Sequence, residues 1–554
     1  MNQPFFLSLG FTLLLAALLG FASDPGPVEA RTGPVKSTPG KVEAASVDHS
    51  AIEDFLRETA AAGMENHSLL IMRHGKIIFE RYAYPYAAGI PHMMFSVTKS
   101  MVSTAVGFAI DEGLLTLDTK IADLFPSRER SDDPRWDELT VESLLTMHSG
   151  KKYSFLRDMS ESDYVEDFMK APFRKRGGFL YSNDDAHVLA VAVADAAGEP
   201  LVDYLMPRLF EPLGIERPFW ETDARGYCIG GTGIYLKTGD IARICNCYLH
   251  GGRHEGRQVI PGEWAARAVK FKVESGEDHD YGYLFWCDEE GNYKMGGMFG
   301  QYGIVYPQHD AVVALTGCAV DEEGFRAIYE KYFPRAIEKT TDEGAAVSLE
   351  RFLEERDNQI KIPRSARNPL EREIAGRCYH LNRAVKRLSE MLNNPASIIP
   401  MALNVTFARR PRESADRLSF EFGENDCTIS WQEGESRVRL VSGMDGAPRL
   451  AQIERCGYPY QLWSYCHWEG DRLIVIVKPI NTVATQRFEF TFKKERLTLR
   501  IRSFPDFVEF ARVNAVPSGQ IPEIKVITPV LLRMMQGALQ YTRLPLPYRA
   551  VSDS

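Results

Sequence analysis

The sequence predicts an α+β fold: an antiparallel sheet flanked by helices and interrupted by an all-α insertion, followed by a separate all-β domain. Strand-like runs at residues 68–82 and 302–316 bracket a long region of helical periodicity. A charged stretch at roughly 338–370 then ends this unit. Beyond it, short runs of strand-forming residues follow one another to about residue 502.

The bulk composition fits this layout. A chain of 554 residues exceeds one compact core and implies two or three domains. With 44% hydrophobic and 25% charged residues it is ordinarily globular. The net charge is −10 and Lys and Arg are scattered, so there is no electrostatic basis for a nucleic-acid partner. The nine cysteines form no CxxC pair, and the closest, Cys245 and Cys247, fall in a helical pattern. They read as buried free thiols rather than zinc ligands, and no cofactor is expected.

In chain order, Phe5 to Ala22 is almost continuously apolar, followed by a polar, proline-rich stretch. This predicts a signal peptide or an N-terminal anchor over 1–22, hence an exported or membrane-anchored protein. No Lys or Arg precedes the run; a mis-annotated start on a cytoplasmic enzyme is the alternative. Residues 23–46 read as a flexible linker. Ile52, Phe55, Leu56 and Ala60 predict a helix. Ser68–Met72 and Lys76–Tyr82 predict a hairpin turning at Arg73-His74-Gly75. From Ser96, helical spacing runs through Val97, Met101, Thr104, Ala105 and Phe108 to a stop near Gly113. Residues 114–250 read mostly as helices and loops. Tyr302–Tyr306 and Ala311–Thr316 form a second hairpin, followed by a helix at Glu323–Tyr332. The domain reading is 47–340, a linker at 341–370, a β-rich domain at 371–525, and a C-terminal helix (Thr528–Tyr541) and tail over 526–554. The runs LSFEF, CTISW, RVRLV, LWSYCHW, RLIVIVK, RFEFTF and RLTLRIR suggest an up-and-down barrel or a sandwich.

Three short segments carry chemistry. Ser96-Val97-Thr98-Lys99 opens a predicted helix, where positions i and i+3 share a face, so hydroxyl and amine can meet. A serine nucleophile needs a base, and a lysine serves if burial lowers its pKa. From the tetrapeptide alone, an N-cap serine beside a solvated lysine fits as well. Tyr181-Ser182-Asn183 offers a phenol for proton relay and an amide for the substrate or Lys99. Gly296-Gly297-Met298-Phe299-Gly300-Gln301 leads into the Tyr302 strand and permits close backbone approach to a developing oxyanion; an ordinary glycine-rich turn is the alternative. Lys237-Thr238-Gly239 is set aside because a helix capped by Asp240 is expected there. His148, His187 and His309 have no partner pattern and read as structural or exposed. Trp286 reads as core or pocket wall.

His92–Ser100 resembles the nucleophile motif of the serine β-lactamase and penicillin-binding-protein superfamily, closest to 6-aminohexanoate-oligomer hydrolases and β-lactamase-fold esterases. Asp111–Asp118, Leu144–Gly150 and Leu209–Ile215 resemble scaffold segments of the same family, and Tyr181-Ser182-Asn183 its YxN motif. The resemblance covers residues ~47 to ~340, set against domain sizes. It implies a β-lactamase/transpeptidase-like fold and a serine hydrolase cleaving an ester or amide through an acyl-enzyme. Catalytic Ser96, Lys99 and Tyr181 are implied, with Ser96 and Met298 supplying oxyanion N–H groups, and Asn183, Gly297 and Gln301 beside them. The partner is then a small-molecule or peptide-like ester or amide; oligomeric state stays open.

The family's usual Lys- or His-led third triplet, which binds a substrate carboxylate, is missing. Lys294 is either a displaced substitute or solvent-facing. A D,D-peptidase or β-lactamase, and a non-catalytic ligand sensor, are the rival readings. The β-rich domain resembles the lipocalin-like appendage of some relatives, with a spacer as its default role.

Overall fold

The computed structural model describes residues 47–151, 163–173, 178–276, 279–338, 343–358, 360–383, 416–433, 436–455, 458–505, 513 and the backbone of 546–550. The expected signal or anchor at 1–22, the linker at 23–46 and the helix at Thr528–Tyr541 lie outside them.

The first unit is built on a seven-stranded antiparallel sheet. Its strands are β1 (Glu65–Arg73) and β2 (Lys76–Tyr82), then β7 (Asp280–Tyr281), β8 (Trp286–Cys287), β9 (Tyr293–Gly297), β10 (Gln301–Tyr306) and β11 (Ala311–Cys318). Between these groups lie two small two-stranded sheets, β3 (His92–Met93) paired with the distant β4 (Tyr235–Leu236), and the hairpin of β5 (Arg253–His254) with β6 (Arg257–Gln258). The large sheet runs β2-β1-β11-β10-β9-β8-β7. Strands β1, β10 and β11 are buried almost throughout, as expected of strands covered on both faces. Leu69 and Ile71 point to one side and Leu70 and Met72 to the other.

On the first side pack helices α1 (His49–Ala61), α5 (Glu322–Glu338) and α6 (Glu343–Asn358). On the second lie α2 (Val97–Asp111), α3 (Asn183–Ala197) and α4 (Thr238–Leu249), with the helical insertion between α2 and α4. Helix α2 is buried along almost its whole length. Gly107 is needed there, since a Cβ would stand 2.3 Å from the Trp264 ring. Both predicted hairpins are present, turning through left-handed residues at His74 and Asp310.

Two expectations are corrected. The linker at 341–370 contains α6, which buries Leu349 and Phe352 beside Phe55 of α1. Charge along the segment hid a short apolar face, Leu349, Phe352 and Leu353, that docks the helix. Residues 546–550 are not a tail: they form a strand, because they complete a sheet with partners far away in sequence.

The second unit is a ten-stranded, nearly closed barrel-like sheet. Its strands are β12 (Cys378–Leu381), β13 (Asp416–Phe422), β14 (Asp426–Glu433), β15 (Ser436–Gly443), β16 (Arg449–Arg455), β17 (Tyr458–Glu469), β18 (Arg472–Pro479), β19 (Thr485–Lys493), β20 (Arg496–Phe504) and β21 (Leu546–Ala550). Alternation drives it: Leu497, Leu499 and Ile501 of β20 face inward and the intervening residues face outward. Strand β15 returns to β17 through Gly443 and Tyr465, with Ser442 Oγ 2.6 Å from Ser464 Oγ. All eight described cysteines are free thiols, and seven of them are buried. Among the described residues no helix is long and apolar enough to cross a membrane.

Candidate active site

Ser96 occupies the N-cap of α2 and is half-buried. The chain reaches it from β3: Met94 N–H donates to the Ile234 carbonyl (3.0 Å), and Phe95 then takes a left-handed φ of 47°. That conformation costs a non-glycine residue about 1–3 kcal/mol and persists only where packing enforces it. The Ser96 side chain makes no capping bond. Its Oγ lies 2.9 Å from Lys99 Nζ, one helical turn on.

Lys99 is 1% exposed, which overturns the alternative of a solvated lysine beside an N-cap serine. Its Nζ donates to Asn183 Oδ1 (2.6 Å) and to the Gly231 carbonyl (2.7 Å). Burial pushes the Lys99 pKa down to about 7, against the opposing pull of the Asp184 carboxylate. The three partners of the amine are chemically unequal. The two carbonyl oxygens only accept, whereas a serine hydroxyl can also donate. A neutral amine placed here donates to Asn183 and Gly231 and turns its lone pair toward the Ser96 proton.

Each acceptor is held by its own support. Asn183 begins α3, whose N-cap Ser182 accepts from the Asp185 N–H at 3.1 Å. Gly231 lies so close that a Cβ there would stand 2.7 Å from Asn183 Cβ, so a larger residue would push the two acceptors apart. The adjoining Gly230 N–H donates to His187 Nδ1 (3.2 Å), and His187 Nε2 faces Asp223 Oδ2 (3.2 Å). His187 is therefore buried and structural, as its sequence context suggested.

Tyr181 brings its ring over the amine, with Lys99 Nζ 4.8 Å from the ring centroid. Trp286 stacks on Tyr181 at 5.7 Å, and Phe179 and Tyr281 complete an aromatic group. Trp286 is thus a wall beside the lysine.

The glycine-rich segment ends β9 and turns into β10. Gly297 passes hard against the nucleophile: a Cβ there would lie 2.3 Å from the Met94 carbonyl and 3.2 Å from Ser96 N. Met298 follows immediately, and Phe299 turns the chain with a φ of 63°. The Phe299 N–H donates to Glu322 Oε1 (2.8 Å). Gln301 is fully buried, and its amide is committed to main chain: Nε2 donates to Met298 O (3.1 Å) and Gly317 O (2.9 Å), and Oε1 accepts from Gly317 N (3.3 Å). It braces the turn from behind rather than facing the cavity side.

Neither sequence reading of Lys294 holds. Its side chain is buried and donates to Tyr329 Oη at 2.7 Å on the α5 side of the sheet, because the pleat of β9 turns it away from Ser96. Lys237-Thr238-Gly239 opens α4, with Lys237 as N-cap; Asp240, expected as the cap, instead accepts from the Lys237 N–H at 3.0 Å. The structure thus brings Ser96, Lys99, Tyr181, Asn183 and the Gly297–Met298 turn together. Sequence reasoning missed Gly231 and Glu322. Gly230-Gly231-Thr232-Gly233 was the available signal for the first, and nothing marked the second.

Comparison with known proteins agrees on the family. The Beta-lactamase family model matches residues 50–317. A 6-aminohexanoate-dimer hydrolase of Paenarthrobacter ureafaciens is 24% identical over 293 residues, covering 47% of this chain and 74% of that protein. A Salmonella agona protein assigned as a D-alanyl-D-alanine carboxypeptidase is 22% identical over 338 residues, covering 55% and 72%. Among solved structures, the D-amino acid amidase of Ochrobactrum anthropi is similar at 17% identity with a TM-score of 0.41, covering 51% of this chain and 97% of that one.

Proposed function

Residues 50–317 belong to the beta-lactamase-fold serine hydrolase superfamily, and on that premise we propose that the protein hydrolyses an ester or amide through an acyl-enzyme on Ser96. Members of this family are hydrolases, amidases and carboxylesterases among them. The observation that carries the proposal is the set of partners around Lys99: two obligate acceptors and the Ser96 hydroxyl.

The neutral Lys99 amine takes the Ser96 proton as Oγ attacks the carbonyl carbon. The negative charge that develops on the carbonyl oxygen is received by the N–H groups of Ser96 and Met298. The proton then moves through Lys99 and the Tyr181 phenol to the departing alcohol or amine. Water enters, attacks the acyl carbon, and gives its proton back by the same route, releasing the acid and restoring Ser96. Helix α2 contributes the positive end of its dipole to the same oxygen.

The burial of Lys294 supports a substrate without an obligatory carboxylate, since the only cation sequence reading placed near the third motif is committed to Tyr329. We place the protein outside the cytoplasm, cleaved or anchored, on the apolar Phe5–Ala22 stretch. Labelling with a fluorophosphonate and mapping the adduct by mass spectrometry tests the mechanism. The adduct is expected on Ser96, and Ser96→Ala should abolish turnover of short-chain p-nitrophenyl esters; unlabelled Ser96 in folded protein counts against it. Strong stable labelling by penicillin would instead favour a D,D-peptidase or β-lactamase.

A further inference from the structure

The short two-stranded pair β3–β4 lies between the nucleophile and the second unit. Strand β3 ends at Met93, three residues before Ser96; β4 begins at Tyr235, four residues after Gly231, the carbonyl partner of Lys99. Both strands are fastened to the barrel, and β3 also meets the large sheet where His92 Nε2 lies 3.2 Å from His67 Nδ1 of β1.

Asn481, buried in the turn between β18 and β19, makes the main attachment to β3. Its carbonyl accepts from the Met93 N–H at 2.8 Å, and its Nδ2 donates to the Pro91 carbonyl at 3.0 Å. Its other side-chain bonds fix it within the barrel: Oδ1 accepts from Gln461 N (2.8 Å), and Nδ2 also donates to Tyr458 Oη (2.9 Å). The ring of His92, between Pro91 and Met93, is hydrogen-bonded to the main chain of Thr482. On β4, the Tyr235 ring stacks on Tyr458 at 4.2 Å, and its hydroxyl lies 2.9 Å from Tyr460 Oη.

The barrel's apolar core continues the attachment. Met93, Phe95, Tyr235 and Phe299 belong to the same buried cluster as Leu462, Val483 and Phe488. Phe95 precedes one proposed oxyanion donor, Ser96, and Phe299 follows the other, Met298; both have positive φ. Residues in that conformation hold their place only when their surroundings leave no alternative, and here the surroundings are partly barrel.

We infer that the C-terminal barrel is part of the catalytic apparatus, with Asn481 as a positioning residue that sets the Ser96 segment through Pro91 and Met93. This rests on the Ser96 mechanism proposed above. Its spacer role, the default from sequence, is replaced. Asn481 touches neither substrate nor reacting atoms; it fixes the path of the chain that presents Ser96.

The test uses the full chain. Asn481→Ala, which removes the donor to Pro91, should lower kcat for a p-nitrophenyl ester, and the rate of phosphonylation of Ser96, by tenfold or more, with KM within twofold. Tyr84→Phe removes a bond between the same two units, Trp463 Nε1 to Tyr84 Oη (2.9 Å), at the far end of the β2–β3 connection from Pro91 and Ser96. It should lower the melting temperature while leaving kcat within twofold. If Asn481→Ala fails to fold, the milder Asn481→Ser, whose shorter side chain does not span to Pro91, carries the same comparison. Unchanged kcat in the folded Asn481 variant, or equal losses of kcat in Asn481 and Tyr84 variants, overturns the inference. Turnover surviving in Ser96→Ala would instead overturn the mechanism beneath it, so the two failures are distinguishable.

Discussion

The rings of Phe95 and Phe299 meet with centroids 5.5 Å apart and planes at 62°, each one residue from a proposed oxyanion donor, Ser96 or Met298. Two strained backbones therefore support each other through one buried contact. Removing either ring loosens both turns. Phe299→Ala should cost about 3–5 kcal/mol of stability, as truncation of a buried aromatic does, measured by denaturant unfolding. It should also slow labelling of Ser96 by a fluorophosphonate; an unchanged labelling rate would mean that the turn holds without the ring.

Lys99 predicts the pH dependence. Its pKa, lowered to about 7 by burial, makes the amine a base only when deprotonated. The kcat/KM profile should therefore rise through about pH 7 and level off above it. Lys99→Arg should be inactive across the range, because a guanidinium stays protonated. A profile flat from pH 5 to 9 would dissociate Lys99 from proton transfer.

Gly297→Ala places a methyl group 2.3 Å from the Met94 carbonyl, so the turn must move away from Ser96. A displacement of about 1 Å at a catalytic group costs on the order of 10²-fold in rate. Steady-state kinetics should show that loss in kcat, with the protein still folded by circular dichroism.

The seam between the two units is sensitive to acid. His67 and His92 lie 3.2 Å apart and fully buried, with pKa values pushed down by burial to about 4 and about 3. The unfolded chain takes up protons near pH 6.5 while the folded one does not, so stability falls as pH drops from about 6.5 toward 4. Burial raises the Glu65 pKa, but the hydrogen bonds and charges of His67 and Lys478 outweigh it and hold the carboxyl below its usual value, so its protonation lowers stability in the same direction. Thermal melting should fall across this window, and His92→Gln should flatten the slope.

Lys294→Met separates two ideas of that residue. Its amine is buried against Tyr329 and its pKa is lowered by burial to about 7. The substitution should leave kcat/KM within twofold, whereas a role in holding a substrate carboxylate would raise KM strongly.

Much of the first unit was legible because local rules suffice there. The alternation of Leu69 to Met72 and the spacing from Val97 to Phe108 name their own elements, and Ser96 and Lys99 lie one turn apart. What escaped was non-local. Gly231 reaches Lys99 across 132 residues of chain, and Glu322 caps a turn that precedes it by 23. Strand β16 was overlooked because its run RLAQIER carries only three apolar residues, Leu450, Ala451 and Ile453, and its pairing with β17 is not local information. Asn481 had no motif at all: its importance exists only once two units meet.

Strand Leu546–Ala550 pairs with β12 on one side and β20 on the other, so it is the stave that shuts the barrel. A nascent chain that has emerged only through residue 505 has every residue of the Ser96 site outside the ribosome, yet carries two open strand edges ready to join a neighbouring chain. Hydrolytic competence would then arrive late in synthesis. Shortening the gene before codon 546 would give a sticky, idle product rather than a smaller working enzyme.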